Sequence, residues 1–420
     1  MRVVVSTYGS RGSVEPMVGL AVRLRELGAE VRVCAPPDEE FRERLDGVGV
    51  EMVPAGPAVR PVVTTVEPGS AVGLARRASE LMALQFDTVA AVAKGCDALV
   101  VTGPLPVTAA ARSVAEQLGV RYVHASHQPV SLPSPHRRPP VRRGRPEPSA
   151  EIANRTLWDE DALIAHTMFG EMLNTHRASA GLPPVDNIRD YAFSDQPWLA
   201  TDPVLAPWQP TDLDVVQTGA WAVPDERPLD ADLLEFLDAG DAPVYVGFGS
   251  MPAAAAGEAA RTAVEAVRAQ GRRVVLSRGW AELALTDDRD DCFLVGEANH
   301  RALFRRVSAV VHHGSAGTTT TAALAGAPQV VVPTGGDQPY WAGRVVDLGI
   351  GAEHAGPAPT ADSLAVALES ALAPGIRERA TAVAATVRTD GTTVAARRLL
   401  DEVGRHEPSA SARGSASPSA

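Results

Sequence analysis

The sequence predicts an α/β protein of two doubly wound domains that face each other across a central cleft. The chain of 420 residues exceeds the roughly 250–300 residues at which a single hydrophobic core stops growing. Short β-branched segments alternate with amphipathic helical periodicity, which is the pattern of parallel βαβ units. This alternation fills the first half of the chain and begins again after a stretch rich in Pro, Asp and Gln near residue 203.

The individual elements follow from this alternation. In the first half, strands are predicted at Arg2–Thr7, Glu30–Ala35, Ala98–Thr102 and 120–124, with helices at 16–27 and 107–118. In the second half, strands are predicted at 243–248, 273–277, Cys292–Val295, Ala309–His312 and 328–332. We therefore expect an N-terminal domain at 1–204, a linker at 205–228, a C-terminal domain at 229–404 and a disordered tail at 405–420, which is rich in Ser, Ala and Pro.

Composition and charge limit the kinds of partner. A net charge of -12 argues against a nucleic-acid surface, which needs clustered Lys and Arg. The longest apolar runs fall short of the roughly 18–20 residues that cross a bilayer, and the N-terminus is predicted to be a strand rather than a signal sequence. Cys34, Cys96 and Cys292 are too widely separated for a disulfide framework or a metal site. A soluble cytoplasmic protein that binds small molecules is expected.

Two long segments, 54–70 and 128–150, interrupt the alternation in the first half. Loops of this length in a compact domain are either functional lids or disordered. The second segment carries several arginines, which favour a solvated surface but could also meet an acidic acceptor or carrier protein. These arginines are Arg137, Arg138, Arg142, Arg143 and Arg145.

Small and hydroxylated residues follow the predicted strand Ala309–His312 at a strand-to-helix turn. Glycines let backbone N–H groups face a ligand, hydroxyls add donors, and the helix N-terminus favours an anion. A histidine pair by itself more often packs or caps, but beside this turn it favours phosphate binding. No Gly-Lys-Ser/Thr occurs, so nucleotide hydrolysis is disfavoured. The candidate phosphate-binding residues are His312, His313, Gly314, Ser315, Gly317 and Thr318.

Two other turns lie at the carboxyl ends of predicted strands. Asp337 and Gln338 together offer a carboxylate and an amide, which can bind adjacent sugar hydroxyls, although a capping Asp on the next helix is equally consistent with the sequence. The segment from Ser10 to Ser13 follows the first strand and lacks the third glycine of a dinucleotide fingerprint, so it is either a ligand-facing turn or a tight turn that needs glycine.

Several longer segments then resemble one known family. They are GSRGSVEP, CAPPD, TDPVLAPWQPTDLDVVQTGAW, PVYVGFGS, DDCFLVGEANH, HHGSAGT and DQPYWAGRVVDLGIG, and they span nearly the whole chain. The sequence resembles the inverting glycosyltransferases of the GT-B fold, and within them the actinobacterial enzymes that glycosylate glycopeptide antibiotics of the vancomycin and teicoplanin group. The resemblance implies two Rossmann-like domains facing a central cleft, with the expectation of a monomer.

The resemblance also implies a donor and an acceptor. The C-terminal domain would bind a UDP- or dTDP-sugar without a metal, and the N-terminal domain would bind a heptapeptide aglycone through the loops after 54 and 128. Ser250 would face the phosphates, Val295 would meet the nucleobase through its backbone, and Asp337 and Gln338 would bind sugar hydroxyls. Ser10 and Arg11 would lie across the cleft near the diphosphate.

One position departs from the family pattern. The usual turn is G-S-R-G-D, in which the aspartate deprotonates the acceptor hydroxyl, and Ser13 stands in that place here. Serine is not a base at neutral pH without an activator. Glu15 could reach the cleft, His127 could act through Ser13, or a phenolic acceptor with a pKa of about 10 could react with little help.

The sequence therefore leaves rival functions open. The first expectation is inverting sugar transfer to a glycopeptide hydroxyl, and the alternative is a catalytically impaired helper protein that binds the sugar nucleotide. A sugar-nucleotide epimerase is a third possibility, which the long loops and the group-specific segments disfavour.

Overall fold

The computed structural model describes residues 1–61, 71–142, 146–223, 225–285, 287, 289–356 and 358–406. Within these residues the chain forms two parallel sheets. The strands of the first sheet are β1 (Arg2–Thr7), β2 (Glu30–Ala35), β3 (Glu51–Pro54), β4 (Ala98–Thr102), β5 (Arg121–Ser126), β6 (Trp198–Leu199) and β7 (Val216–Gln217). Those of the second are β8 (Val244–Gly247), β9 (Val274–Ser277), β10 (Cys292–Val295), β11 (Ala309–His312), β12 (Gln329–Val331) and β13 (Gly351–Glu353).

Helices connect and cover these strands. Around the first sheet they are α1 (Arg11–Glu26), α2 (Glu39–Gly47), α3 (Ala71–Leu84), α4 (Ala90–Ala93), α5 (Leu105–Leu118), α6 (Asn154–Ser179) and α7 (Ile188–Ala192), with a π-helical turn Gln85–Val89 joining α3 to α4. The later helices are α8 (Ala231–Asp238), α9 (Ala253–Ala269), α10 (His300–Phe304), α11 (Ala316–Leu324), α12 (Gln338–Asp347), α13 (Ala361–Ala371), α14 (Ile376–Ala384) and α15 (Gly391–His406).

The two sheets share the order of their first six strands, and the first sheet has a seventh. The first runs β3-β2-β1-β4-β5-β6-β7 and the second β10-β9-β8-β11-β12-β13. In each sheet the first three strands are added towards one edge and the later strands towards the other, so the first and fourth strands are neighbours. An open α/β sheet binds ligands beyond the carboxyl ends of its strands at such a switch point. The β1 and β4 ends and the β8 and β11 ends are therefore the positions at which a site is expected.

The central strands are apolar on both faces because helices cover both sides of each sheet. All five residues of β4 and all four of β8 are buried, as expected for parallel strands at the centre of a doubly wound domain. The prediction of two doubly wound α/β domains is confirmed.

The last helix returns to the first domain. Ala395, Ala396 and Leu399 of α15 are buried in the hydrophobic core that contains β1 and α1. Arg121 at the start of β5 pairs with Glu402 at 2.9 Å. The chain therefore crosses between the domains twice, and the second crossing fastens the C-terminal end of the chain to the N-terminal domain.

The predicted ranges and the observed packing differ at two places. Strand β7 joins the first sheet although it lies in the predicted linker 205–228. Helix α15 lies mostly in the predicted C-terminal range 229–404 but packs with the first domain. Amphipathic periodicity shows that a helix has a buried face without showing which sheet that face covers. Most of the predicted tail 405–420 lies outside the described residues.

Element bounds were predicted closely for the long strands. The predictions for β1, β2, β4, β10 and β11 are confirmed, and those for β5, β8, β9 and β12 differ by one or two residues. The prediction of a helix from residue 16 is wrong, because α1 begins at Arg11 and Pro16 lies inside it. A proline one turn into a helix removes only the hydrogen bond to residue 12, and Gly12 is exposed. The short strands β3, β6, β7 and β13 were not predicted.

The contact of α15 with the inter-domain segment can be tested at Gly391. A Cβ added there would lie 2.4 Å from the Ala220 carbonyl oxygen and 2.5 Å from the Gly219 carbonyl carbon. Because these are backbone atoms, Gly391→Ala should lower the free energy of unfolding by about 2–3 kcal/mol. Gly404→Ala in the same helix is the control: its Cβ would meet nothing within 4 Å, and it should stabilise by about 0.5–1 kcal/mol. Equal effects of the two changes in urea unfolding would contradict the docking of α15.

Candidate active site

The carboxyl ends of the two sheets face each other, and an ion pair joins them. Arg11, the first residue of α1, pairs with Glu297, which follows β10. Arg60 and Glu282 form a second such pair between the domains. The switch points of both sheets therefore open onto one shared cleft, as predicted.

The two adjacent histidines after β11 have different surroundings. His312 is the last residue of β11 and is completely buried. Its Nδ1 accepts the Gly314 backbone N–H at 3.0 Å, so its Nε2 carries the proton and donates to Gln329 Oε1 at 3.0 Å. Both ring nitrogens are thus occupied inside the protein, and His312 shapes the turn.

His313 lies against the turn that follows β8. A Cβ placed on Gly249 would lie 3.0 Å from its Cε1 atom, and Ser250 follows directly. The Nδ1 atom of His313 is buried without a hydrogen-bond partner. Burial lowers the pKa of His313 to about 4, so its imidazole is neutral near pH 7 and can donate one hydrogen bond without adding charge.

Helix α11 begins at this point, and its first turn is organised by hydroxyl groups. Ser315 is the N-cap residue: its Oγ accepts the Thr318 N–H at 3.4 Å and donates to Thr318 Oγ1 at 3.0 Å. The first N–H groups of a helix have no intrahelical acceptor. A Cβ added to Gly317 would meet nothing within 4 Å, so this end of α11 opens onto free space.

The loop after β12 touches the turn before α11. Gly314 has φ +90°, and a Cβ there would lie 2.7 Å from Val331 Cγ1 and 3.2 Å from the Gln338 carbonyl oxygen. Only glycine fits both the conformation and the space. The two predicted donor segments, 312–318 and 337–338, therefore form one continuous surface.

Asp337 and Gln338 have separate hydrogen-bond partners. Asp337 occupies the N-cap position of α12 without a side-chain capping bond, and its Oδ2 instead accepts Trp341 Nε1–H at 2.8 Å. Gln338 Oε1 accepts from the Thr334 N–H at 2.7 Å and the Thr334 hydroxyl at 2.9 Å. Burial raises the pKa of Asp337. The Gln338 Oε1 atom is thus committed to its own loop.

Val295 ends the outer strand β10 and is buried. Its carbonyl oxygen accepts the Arg278 N–H at 3.0 Å. This contact ties the loop after β10 to the loop after β9, which continues into Gly279 and Trp280. Trp280 N–H donates to the Gly249 carbonyl at 2.9 Å, so the ends of β8, β9 and β10 are linked in sequence across the sheet.

The turn after β1 holds the predicted residues of the opposite wall. Ser10 is the N-cap residue of α1 without a side-chain capping bond. Ser13 Oγ lies close to Gly9, where an added Cβ would come within 2.6 Å of it. Glu15 pairs with Arg44 at 3.2 Å and with Arg11 at 3.7 Å. The Glu15 carboxylate is therefore shared between two guanidinium groups.

His127 follows β5 and packs edge-on against Trp221, with ring centroids 5.6 Å apart. Both of its ring nitrogens are buried without a hydrogen-bond partner, so no hydrogen bond joins His127 to Ser13 in this structure. Burial lowers the pKa of His127 to about 4.

Sequence reasoning missed several residues of the cleft. Glu297 and Gln128 were not predicted, because each reaches a partner in the other domain. Glu297 contacts Arg11, 286 positions away, and the Gln128 side chain contacts Asp337. The supporting role of Trp341 had a weak signal, since it lies one helical turn after Asp337. The internal role of His312 could have been suspected from its place as the last residue of a buried strand.

The described residues contain no helix long and apolar enough to cross a membrane. They also contain no group of three or more His, Cys, Asp or Glu side chains arranged to hold a metal ion. Cys34, Cys96 and Cys292 are buried free thiols.

Comparison with known proteins agrees with this arrangement. The model of the glycosyltransferase family 28 N-terminal domain matches residues 3–131, and that of the erythromycin biosynthesis protein CIII-like C-terminal domain matches residues 289–397. The calicheamicin glycosyltransferase CalG4 superposes with a TM-score of 0.66 at 17% identity, covering 97% of this chain and 99% of that chain, which shows the fold alone.

Closer relatives extend over almost the whole chain. The vancomycin aglycone glucosyltransferase of Amycolatopsis orientalis is 54% identical over 412 residues, or 98% of this chain and 100% of the relative. The dTDP-epi-vancosaminyltransferase of the same organism is 52% identical over 413 residues, or 97% of this chain and 99% of the relative. These relatives, together with the fold, define a glycosyltransferase of the GT-B class. The chain belongs to the glycopeptide-antibiotic glycosyltransferases of the vancomycin group.

The two histidines should respond differently to replacement. His312→Ala leaves the Gly314 N–H and the Gln329 amide buried without a partner, and should cost about 2–4 kcal/mol of unfolding free energy. His313→Ala removes a ring whose Nδ1 has no partner, and should therefore cost less stability. Urea unfolding of the two variants measures both effects. The reverse pattern would exclude the structural role of His312.

Buried neutral histidines make the fold sensitive to acid. Burial lowers the pKa from 6.5 to about 3 in His124 and His312 and to about 4 in His127, His300 and His313. The unfolded chain binds these protons first, so the stability is complete above pH 6.5 and is lost as the pH falls towards the folded pKa values. His124→Leu removes one such group and should flatten the loss by about 1.4 kcal/mol per pH unit between pH 6 and pH 5. Urea unfolding across that range provides the slope, and an unchanged slope would contradict the assignment.

Proposed function

We propose that this glycosyltransferase transfers a sugar from a UDP- or dTDP-sugar to a hydroxyl of a glycopeptide aglycone, with inversion at the anomeric carbon. The observation that carries the proposal is the open N-terminus of α11, beside His313 and in contact with the Asp337 loop. Its relatives include one named for glucosyl transfer to the vancomycin aglycone. The same fold and 52–54% identity support the same class of acceptor.

The donor would lie along the second sheet. Its diphosphate would receive hydrogen bonds from the first N–H groups of α11, from the hydroxyls of Ser250 and Thr318 and from His313. Its base would lie beyond the end of β10 at Val295, and its sugar would reach the loop of Asp337 and Gln338. A helix N-terminus stabilises negative charge, so we propose that no metal ion is needed at the leaving group.

The reaction would be a single displacement. The acceptor oxygen forms a bond to the anomeric carbon from the face opposite the diphosphate, while the bond from that carbon to the phosphate oxygen breaks. The electron pair of that bond leaves with the diphosphate, whose charge α11 stabilises. The acceptor proton must leave from the side of the cleft formed by the turn after β1.

We propose a phenolic acceptor because the turn after β1 offers no strong base. Ser13 stands where the family has an aspartate, Glu15 is held by Arg11 and Arg44, and His127 packs on Trp221. A phenol with a pKa of about 10 needs less assistance than an aliphatic alcohol. His127 is neutral because burial lowers its pKa, so its imidazole is the alternative group that could take the acceptor proton.

A donor-by-acceptor matrix tests the proposal. The purified enzyme is incubated with UDP-glucose, UDP-N-acetylglucosamine or a dTDP-deoxysugar and with a panel of aglycones, and products are detected by mass spectrometry. A mass gain with at least one pairing is expected, with the product anomer opposite to the donor by nuclear magnetic resonance. The activity should survive EDTA. Loss of activity on chelation, or a retained anomer, would exclude the proposed mechanism.

The alternative function is a helper protein that binds the sugar nucleotide without turnover, and Ser13 in place of the aspartate is the observation that favours it. Ser13→Asp distinguishes the two. If the wild type is inactive and Ser13→Asp is strongly active, the helper function is supported. If the wild type turns over and Ser13→Asp changes kcat by less than about tenfold on a phenolic acceptor, Ser13 belongs to a working enzyme.

A further inference from the structure

A side chain of the first domain hydrogen-bonds to the carboxylate that is proposed to bind the donor sugar. Gln128 lies in the loop after β5, across the cleft from Asp337. In the amide orientation that satisfies both of its ends, Gln128 Nε2 lies 2.7 Å from Asp337 Oδ2 and 3.1 Å from Asp337 Oδ1. The NH2 group of Gln128 therefore donates to both oxygens of the Asp337 carboxylate.

This contact leaves the Asp337 carboxylate with few free positions to accept further hydrogen bonds. Asp337 Oδ2 also accepts Trp341 Nε1–H at 2.8 Å, and each carboxylate oxygen has two lone-pair sites. The Gln128 amide lies between the two oxygens, where a pair of neighbouring sugar hydroxyls would donate. A sugar cannot bind this edge of Asp337 while the amide remains there.

The backbone around Gln128 is fixed so that the side chain points across the cleft. Its carbonyl oxygen accepts hydrogen bonds from the hydroxyls of Ser126 at 2.7 Å and Ser131 at 3.0 Å. Further along the same loop, the Arg137 guanidinium lies 5.2 Å from the ring centroid of Tyr340, in the first turn of α12. The loop is thus docked against the beginning of α12 at two points, and only the Gln128 contact uses the Asp337 carboxylate.

We propose that Gln128 stands in for the sugar hydroxyls in the donor-free enzyme, and that every nucleotide sugar must displace it from Asp337 in order to bind. This inference rests on the proposed role of Asp337 in donor binding. Only the fraction of enzyme molecules in which Gln128 has left Asp337 can then bind a sugar nucleotide. The apparent Kd is therefore raised by the same factor for every donor that uses Asp337, and it is unchanged for a ligand that does not use Asp337.

The consequence is specific. Removing the Gln128 amide should tighten the binding of each sugar nucleotide by the same ratio and leave donor preference unchanged. UDP without a sugar does not reach Asp337, so its affinity should not change. A residue that contacted the bound sugar would behave in the opposite way, because its removal would weaken sugar nucleotides and alter their ranking.

Calorimetric titration of full-length protein with UDP-glucose, UDP-N-acetylglucosamine and UDP tests this. Gln128→Met keeps the length of the side chain without its donor, and should lower the Kd of both sugar nucleotides roughly three- to tenfold, the net size of an ordinary hydrogen bond. Gln128→Asn, one methylene shorter, should act in the same direction. Thermal unfolding of both variants checks that they are folded.

Glu282→Gln is the matched control, because it weakens another contact between the domains, the pair with Arg60, which involves neither Gln128 nor Asp337. It should change the Kd of UDP and of the sugar nucleotides by the same factor, or not at all. Selective tightening of sugar nucleotides by Glu282→Gln would overturn the proposal, as would unchanged or weaker binding in both Gln128 variants. Failure of the wild type and all variants to bind any sugar nucleotide while UDP binds would overturn the donor role of Asp337, and this inference with it.

Discussion

The turn before α11 depends on the hydrogen bonds of one buried imidazole. His312 accepts the N–H of Gly314 and donates to Gln329, so a residue at the end of β11 fixes both the start of the turn and its distance from β12. That distance determines where Gly314 meets the Gln338 backbone. The helix terminus, the neutral ring of His313 and the Asp337 loop hold their mutual positions because this one ring has no remaining freedom.

The second sheet extends this arrangement to both sides. The Trp280 N–H donates to the Gly249 carbonyl, and the Arg278 N–H donates to the Val295 carbonyl. Adjacent loops are therefore joined by backbone hydrogen bonds, which do not depend on the identity of the side chains. Across the cleft the contacts are made by side chains: two ion pairs, the Gln128–Asp337 contact and the Arg137 guanidinium over the Tyr340 ring. Exposed ion pairs contribute little to stability. Trp280, in the loop after β9, is also buried in the hydrophobic core of the first domain. Apolar burial therefore contributes more than the ion pairs to holding the two domains together.

The sequence predicted the part of the site that local patterns encode. Strand, glycine and helix signals placed His312 to Thr318 at a switch point, and the next strand end placed Asp337 beside it. It could not separate the roles of His312 and His313, because adjacent residues turn to opposite sides and only the packed sheet shows which side is closed. It could not find Gln128 or Glu297, since their partners lie in the other domain. The membership of α15 in the first domain was hidden for the same reason.

In the proposed reaction, Ser13 would give the two sides of the cleft unequal chemical roles. Helix α11, His313 and the neighbouring hydroxyls would stabilise the departing diphosphate. On the opposite side, a serine occupies the position of the base that would take the acceptor proton, and general base catalysis is worth about 10²–10⁴ in rate. An aliphatic alcohol would lose that whole factor, whereas a phenol, with a pKa of about 10, would lose less of it because it releases its proton more readily. The serine would therefore restrict the proposed reaction to acidic acceptors.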